Sequence, residues 1–450
     1  LFYLGGIAVG GGSIWATSPV EGEVWRIDVG SRRRTSIPVA YGASSVAYAD
    51  GSVWVGNRYD DSVDRIDPMA TPPTVTRVAT IPAPQDVVGD GHYVYVASGA
   101  PAGRAGPVAI SSCGPPDVAR ADVRIVSDLP LTGPFAAQSA AAVKTFESTL
   151  AGHRHHAGPF RVSFQSCDDS TAAAGGYDDG QCEANATAFA DDLDVVGVIG
   201  PLNSECAQFE IPILNRAPHG PLGLISPFVT GPFLSRPPPG PAAVTFRQFY
   251  AAGTHNFTRT IGTDRIQVAA DALLAHRLHL HRIAVLYDEG PMLDGAEARW
   301  FVADARGLGL DVTTIVIGPK RTGLAKALAR ARADGAFVAG FTLGPTPASG
   351  AAILAALDRY ADRAVIVTDA FPAAATRGRT ARYYATSAIP NVPASVRDLL
   401  DAIAASNGTR RSVVGHLFAR RGIDRWGDPL TAPVSVIRLP RRTHFATINP

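Results

Sequence analysis

From Val123 onward, short apolar runs alternate with helix-compatible segments, and that alternation leaves few folds open. Val123–Ser127 reads as a strand, Ala136–Leu150 as a helix and Phe160–Gln165 as a strand. Asn185–Asp192 then reads as helix, Val195–Ile199 as strand, Ser204–Asn215 as helix and Leu222–Ile225 as strand. A chain that repeats strand, helix, strand buries its apolar runs in a parallel sheet with helices on both faces. A second run has the same form: Ile266–His276, Arg282–Tyr287, Gly295–Gly307, Asp311–Ile317, Leu324–Ala333, Gly335–Phe341, Gly350–Tyr360 and Ala364–Thr368. Two α/β lobes in series are predicted, each a doubly wound, mostly parallel sheet.

The first hundred residues follow a different grammar. Gly12-Ser13-Ile14-Trp15-Ala16 returns as Gly51-Ser52-Val53-Trp54-Val55 and, loosely, as Gly91-His92-Tyr93-Val94-Tyr95-Val96, a period of about forty residues. Between these copies Val24-Trp25-Arg26-Ile27-Asp28 returns as Val63-Asp64-Arg65-Ile66-Asp67. Each unit thus holds at least two short strands separated by Gly, Pro and Asp turns, which is how a propeller blade reads. The pattern resembles the YVTN-type and virginiamycin-lyase-like propeller repeats. Two units and part of a third fall short of a closed ring. His92 is the only histidine here, so a lyase built on this part lacks converging acid and base groups, and a scaffold role is expected. The expected division is partial β-propeller repeats over 1–100, a Pro, Gly and Ala-rich linker over 101–120, and the α/β unit over 121–450.

Composition narrows the function. A net charge of +1 on 450 residues, with 18% charged residues, gives no electrostatic footprint for nucleic acid. No apolar run approaches the roughly 20 residues that span a bilayer. The sequence opens Leu1-Phe2-Tyr3, without Met or a signal sequence, and is read as a fragment whose upstream segment is missing. Cys113, Cys167, Cys182 and Cys206 form no CxxC pair and are read as disulfides, with three connectivities open. The histidine clusters His153, His155, His156 and His276, His279, His281 read as solvated surface, so no metal and no cofactor are expected. With no nucleophile elbow, P-loop or HExxH motif, the chain is not expected to be an enzyme.

More specific signals are spread along the second part. They are Asp128-Leu129-Pro130-Leu131-Thr132-Gly133-Pro134 after the first strand, Asp168-Asp169 after the second, and Val195 to Ser204 across the third strand and its exit loop. Leu224 to Thr230, Phe257-Thr258-Arg259 with Gly262-Thr263-Asp264, and Gly427-Asp428-Pro429 with Val434-Ser435-Val436 complete the set. These resemble the branched-chain amino-acid binding proteins, which are type 1 periplasmic binding proteins, over most of 121–450. The resemblance implies a first lobe of about 121–258 plus 390–425 and a second of about 264–385 plus 430–450. It implies a small-molecule ligand, an amino acid or related carboxylate, held by Thr132, Gly133, Ser204, Ser226 and Thr230 from the first lobe and by Met292, Phe341 and Asp369 from the second. The ordinary alternative for the serines and threonines is helix capping and turn chemistry.

The same resemblance pairs Cys182 with Cys206 and so leaves Cys113 with Cys167, while Cys167 with Cys182 stays open. It implies an extracytoplasmic location, periplasmic, cell-surface or secreted, with anchoring to a membrane through the missing upstream segment as one option, and an ABC permease or an upstream signalling domain as the protein partner. Two departures stand out. The family's aromatic lid position falls near Met292, and the chain is short between Pro390 and Val396 and again over Phe418–Ile423, which would thin the first lobe's core. A Pro-rich insertion from Phe233 to Pro241 is expected to be a surface loop. A ligand-free interaction module of a signalling ectodomain is the competing reading.

Overall fold

The computed structural model of the chain describes residues 5–450 except 20–21, 41, 59, 82–83, 90–92, 99–111, 119, 238–245, 247–248, 252, 288–293, 318–323, 340–352, 354, 359–362, 369–380 and 440–442. Its N-terminal part holds two antiparallel four-stranded sheets in simple meander order. One is β1 (Ile7–Gly10), β2 (Ser13–Ser18), β3 (Glu23–Asp28) and β4 (Arg34–Pro38). The other is β5 (Ala43–Ala49), β6 (Ser52–Asn57), β7 (Ser62–Asp67) and β8 (Thr74–Thr80). A hairpin of β9 (Pro84–Gly89) and β10 (Val94–Ser98) follows. The repeated motif explains the repeated contacts: Arg26 Nε donates to Ser13 Oγ and Arg65 Nε to Ser52 Oγ, both at 2.9 Å. Trp15, Val24, Ile37, Val46, Val53, Val55 and Ile66 form one core shared by the two sheets.

The first lobe contains β11 (Val123–Leu129), β12 (His156–Ala157), β13 (Phe160–Asp168), the small hairpin β14 (Ser170–Thr171) and β15 (Gly176–Tyr177), β16 (Val195–Ile199), β17 (Gly223–Ser226) and β18 (Phe257–Arg259). Its main sheet has the order β12-β13-β11-β16-β17-β18, parallel except for β12. Helices α1 (Ala136–Gly152), α2 (Asp179–Asp191) and α3 (Ser204–Asn215) connect the strands. Successive strand residues serve opposite cores: Val195 and Val198 face the α2 and α3 side, Val196 and Ile199 the α1 side. That is why these strands read as continuous apolar runs rather than alternating ones.

The second lobe contains α4 (Asp264–Arg277), β19 (Arg282–Tyr287), α5 (Asp294–Gly307), β20 (Asp311–Val316), α6 (Leu324–Ala331), β21 (Gly335–Val338), β22 (Ala364–Val367) and β23 (Arg382–Ala388). The chain then returns to the first lobe as α7 (Val392–Ala405) and α8 (Arg410–Phe418) before ending in β24 (Val434–Arg438) and β25 (Thr443–Ile448). The sheet order is β20-β19-β21-β22-β23-β24-β25, with β24 and β25 antiparallel. Both lobes therefore run second, first, third, fourth, fifth strand, and the order reverses between the first and third.

Two expectations are corrected. Phe233 to Pro241 is not simply a surface loop, because Leu234 and Ser235 are fully buried and Phe233 packs on the core. Nor is the first lobe's core thin where the chain is short: α7 places Val396, Leu399, Leu400 and Ile403 in it, and α8 adds Val413 and Leu417. The spacing of the α7 residues puts them on one helical face.

Arg410 shows how α8 is held. Its buried guanidinium donates to the carbonyls of Phe189, Ala190 and Asp192 at the end of α2, and to those of Val195 and Pro218. The last carbonyls of a helix lack intrahelical partners, and a cation there satisfies them and opposes the dipole. At the other end of α2, Arg58 from the N-terminal sheets pairs with Glu183 at 2.5 Å. Replacing Arg410 by Met should cost about 2–4 kcal/mol, because several buried carbonyls lose their donor at once. A lowered urea midpoint with an unchanged slope is the expected result; an unchanged midpoint would mean water replaces the guanidinium without loss.

Candidate functional site

In a sheet of this order, the helix starts beside the reversal point open a crevice at the strands' C-terminal ends. In the first lobe that point lies between β11 and β16, so the exits of these strands form the shelf. Leaving β11, the chain is pinned by Asp168: its Oδ1 accepts from the N–H groups of Leu131 and Ser170, each at 2.9 Å, and from the Ser170 hydroxyl. Ser170 Oγ in turn accepts from Thr132 N at 3.1 Å and lies 2.7 Å from Thr132 Oγ1. Gly133 has φ +78°, and a Cβ there would stand 2.3 Å from the Gly175 carbonyl, so the β14–β15 hairpin closes directly over this turn.

Leaving β16, Gly200 has φ +142°, and a Cβ there would lie 2.3 Å from the Asp128 carbonyl. Only glycine lets the two strand exits approach this closely. Pro201, Leu202 and the N-cap Asn203 then lead to Ser204, the first residue of α3. Ser204 is half-buried, and its Oγ accepts from Gly231 N at 3.3 Å. Thr230 is half-exposed between two anchored carbonyls, since Arg259 donates to Val229 O at 2.9 Å and to Gly231 O at 3.0 Å.

Thr132, Gly133, Ser204 and Thr230 thus stand on exit loops at one edge of the sheet. Ser226 does not join them at the surface. It is fully buried, donates to Pro201 O at 2.8 Å and accepts from Phe228 N and Val229 N at 3.0 Å. Its hydroxyl holds two exit loops together. Met292, Phe341 and Asp369 lie outside the described residues, as does His92.

Residues that motif reasoning missed surround the shelf with acid. Burial and the nearby Glu205 and Asp178 push the Asp179 carboxyl up to about 6. Burial, Glu205 and Asp179 push Tyr177 up to about 12. Glu205 sits in the first turn of α3, where an acid complements the helix dipole. Behind the shelf Asp128, Asp169 and Glu210 are all without exposed surface. Burial and its partners Asp128 and Asp168 raise Asp169 to about 9; burial raises Asp128 to about 7 against the hydrogen bonds from Glu210 and Asn185. Glu210 is raised by burial and by its repulsion and hydrogen bond with Asp128. Asp128 and Asp169 stand in quoted motifs, but no pattern in the sequence brings Glu210 of α3 to them, because the three come from β11, the exit of β13 and α3.

The sequence left the cysteine pairing open, and the structure closes it. Cys182 on α2 joins Cys206 on α3 with Cα atoms 5.6 Å apart, and Cys113 joins Cys167. Among the described residues no helix is long and apolar enough to cross a membrane.

The acid cluster sets a pH dependence. Each raised carboxyl holds its proton more tightly folded than unfolded. Its favourable state is complete below the unfolded carboxylate range near 4, and stability falls as pH climbs from there toward the folded values of about 7 for Asp128 and about 9 for Asp169. The thermal midpoint should therefore fall as pH rises from about 5 to about 9, and Asp169→Asn should flatten that fall. An equally steep profile in the variant would show that these carboxyls are not its source.

No known family profile matches the chain, and no curated protein matches it. Solved structures do. The leucine-binding protein LivK of Thermotoga maritima aligns with TM-score 0.54 and 17% identity over 73% of this chain and 99% of its own. The substrate-binding protein of an ABC transporter from Desulfitobacterium hafniense, in complex with Leu, aligns with TM-score 0.54 and 16% identity over 72% and 99%. LivJ of Streptococcus pneumoniae, in complex with isoleucine, gives 0.51 and 13% over 73% and 99%. These likenesses show the fold: the α/β part is a two-lobed periplasmic-binding-protein architecture.

Proposed function

We propose that residues 121–450 form an extracytoplasmic solute-binding domain that clamps a small amino-acid-like molecule between its lobes without converting it. The observation that carries this reading is the shelf itself, where Ser204 and Thr230 stand half-exposed beside the start of α3 at the reversal point of the sheet. The N–H groups of a helix's first turn and a serine hydroxyl suit a carboxylate. Asp179 and Glu205 next to them suit an ammonium group, so a zwitterion fits the shelf better than a simple anion. The solved neighbours in complex with Leu and isoleucine support the class. Met292, Phe341 and Asp369 are the proposed second-lobe contacts, and an ABC permease or a signalling domain the proposed reader. The N-terminal sheets are proposed as propeller-type blades serving as a scaffold.

One observation favours the second reading, a ligand-free interaction module: the Ser204 hydroxyl already accepts from Gly231 N. The two readings separate in a thermal-shift screen of the chain against amino acids, small amides and simple carboxylates. A ligand at a hundred times its Kd should add about 2.7 kcal/mol to stability. Ser204→Ala should weaken that ligand about tenfold, the loss of one good hydrogen bond. A folded chain that responds to none of the panel would establish the interaction module instead.

A further inference from the structure

The Cys182–Cys206 disulfide lies against the buried acids rather than in an apolar core. Cys206 Sγ is 3.4 Å from Glu210 Oε1 and 3.7 Å from Asp169 Oδ2, although a disulfide sulfur has no proton to donate to either. Glu210 follows Cys206 by one turn of α3, on the same face. Ligand-bearing atoms of Asp169, Cys182 and Cys206 lie within 4.8 Å of one another, as do those of Asp128, Cys206 and Glu210. Asp169 and Glu210 are fully buried; Asp169 keeps an oxygen that no hydrogen-bond donor reaches, while Glu210 meets the carboxyl of Asp128.

We propose that reduction of this disulfide creates a buried site for a zinc-like divalent cation, with Cys182, Cys206, Asp169 and Glu210 as ligands. Zinc binds sulfur at about 2.3 Å and carboxylate oxygen at about 2.0 Å, so a tetrahedron has a sulfur-to-oxygen edge of about 3.5 Å. The two contacts of Cys206 Sγ, at 3.4 and 3.7 Å, are close to this length. Both cysteines sit in the first turn of a helix, Cys182 fourth in α2 and Cys206 third in α3, where the positive end of the dipole favours thiolate. Thiolates select zinc over calcium or magnesium. Two thiolates and two carboxylates carry the same charge as a four-cysteine structural zinc site. Asn185 Nδ2, 2.7 Å from Asp128 Oδ1, holds Asp128 beside the ligands.

The chemistry balances with an external phosphine or dithiol. The phosphine gives two electrons to the sulfur–sulfur bond and takes an oxygen from water, whose two protons leave the cysteines as thiols. Cation binding then releases the protons of both thiols and of whichever carboxyls are protonated.

The test uses the whole chain, reduced with a phosphine, desalted without oxygen and titrated with Co2+ and then Zn2+. One equivalent of Co2+ with a tetrahedral spectrum and thiolate charge-transfer bands is expected, and no such spectrum from the unreduced chain. Asp169→Asn and Glu210→Gln should each weaken Zn2+ at least about tenfold. The double variant Cys113→Ser and Cys167→Ser, which removes the other thiol pair, should bind as the parent does. A reduced chain that takes up no stoichiometric metal overturns the proposal, as does a cobalt spectrum untouched by both carboxamide variants. If a variant fails to fold by circular dichroism, X-ray absorption at the zinc edge of the reduced parent decides. Two sulfur and two oxygen neighbours support the site, and any other count overturns it.

Discussion

Arg259 and Asp428 form the ion pair on which the rest of the α/β part depends. Both are buried, with Arg259 Nε 2.9 Å from Asp428 Oδ1. A buried pair of this kind survives only when its remaining polar atoms are also satisfied. Here Ser235 and Arg236 donate to the other Asp428 oxygen, and the remaining guanidinium nitrogens reach Val229 O, Gly231 O and Ser235 Oγ. The pair thereby ties the end of β18, where the chain leaves the first lobe, to the segment before β24, where it leaves for the last time. It also fixes the loop that carries Thr230, so one buried cation shapes both the passage between lobes and the floor of the shelf.

Much of the α/β part is legible residue by residue. The strands Val195–Ile199 and Arg282–Tyr287 and the helix Ser204–Asn215 are bounded in the structure as their patterns predict. Helix α2 is the instructive miss, since periodicity suggests a start at Asn185 and the helix begins at Asp179. The reason is local: Asp178 accepts from Gln181 N and caps the first turn, while Gly180 and the polar residues after it hide the apolar face. The shelf loops are legible as motifs, and Gly133 and Gly200 reveal their purpose only when the backbone in front of each is known. What no pattern conveys is which distant residues meet. Arg259 and Asp428 both stand in quoted motifs, yet their pairing is a fact of three dimensions. The burial of Asp128, Asp169 and Glu210 runs against every compositional expectation for carboxylates.

The first lobe concentrates unlike chemistry in a small volume. Thr132, Ser204 and Thr230 stand at the strand ends, and buried acids and a disulfide lie in the same lobe. Low-dielectric surroundings strengthen each hydrogen bond in such a cluster and penalise any group left alone. The shelf's loops are bound to Asp168, Ser170, Ser226 and Arg259.

The Arg58–Glu183 contact has a mechanical meaning. Glu183 is the neighbour of Cys182, Cys182 is bonded to Cys206, and Cys206 lies two residues from Ser204. Four short links therefore connect the N-terminal sheets to the shelf in series. A pull or twist applied to those sheets would be delivered to the start of α3 as through a tie rod, with the salt-sensitive ion pair, not the covalent bridge, as the joint that slips first.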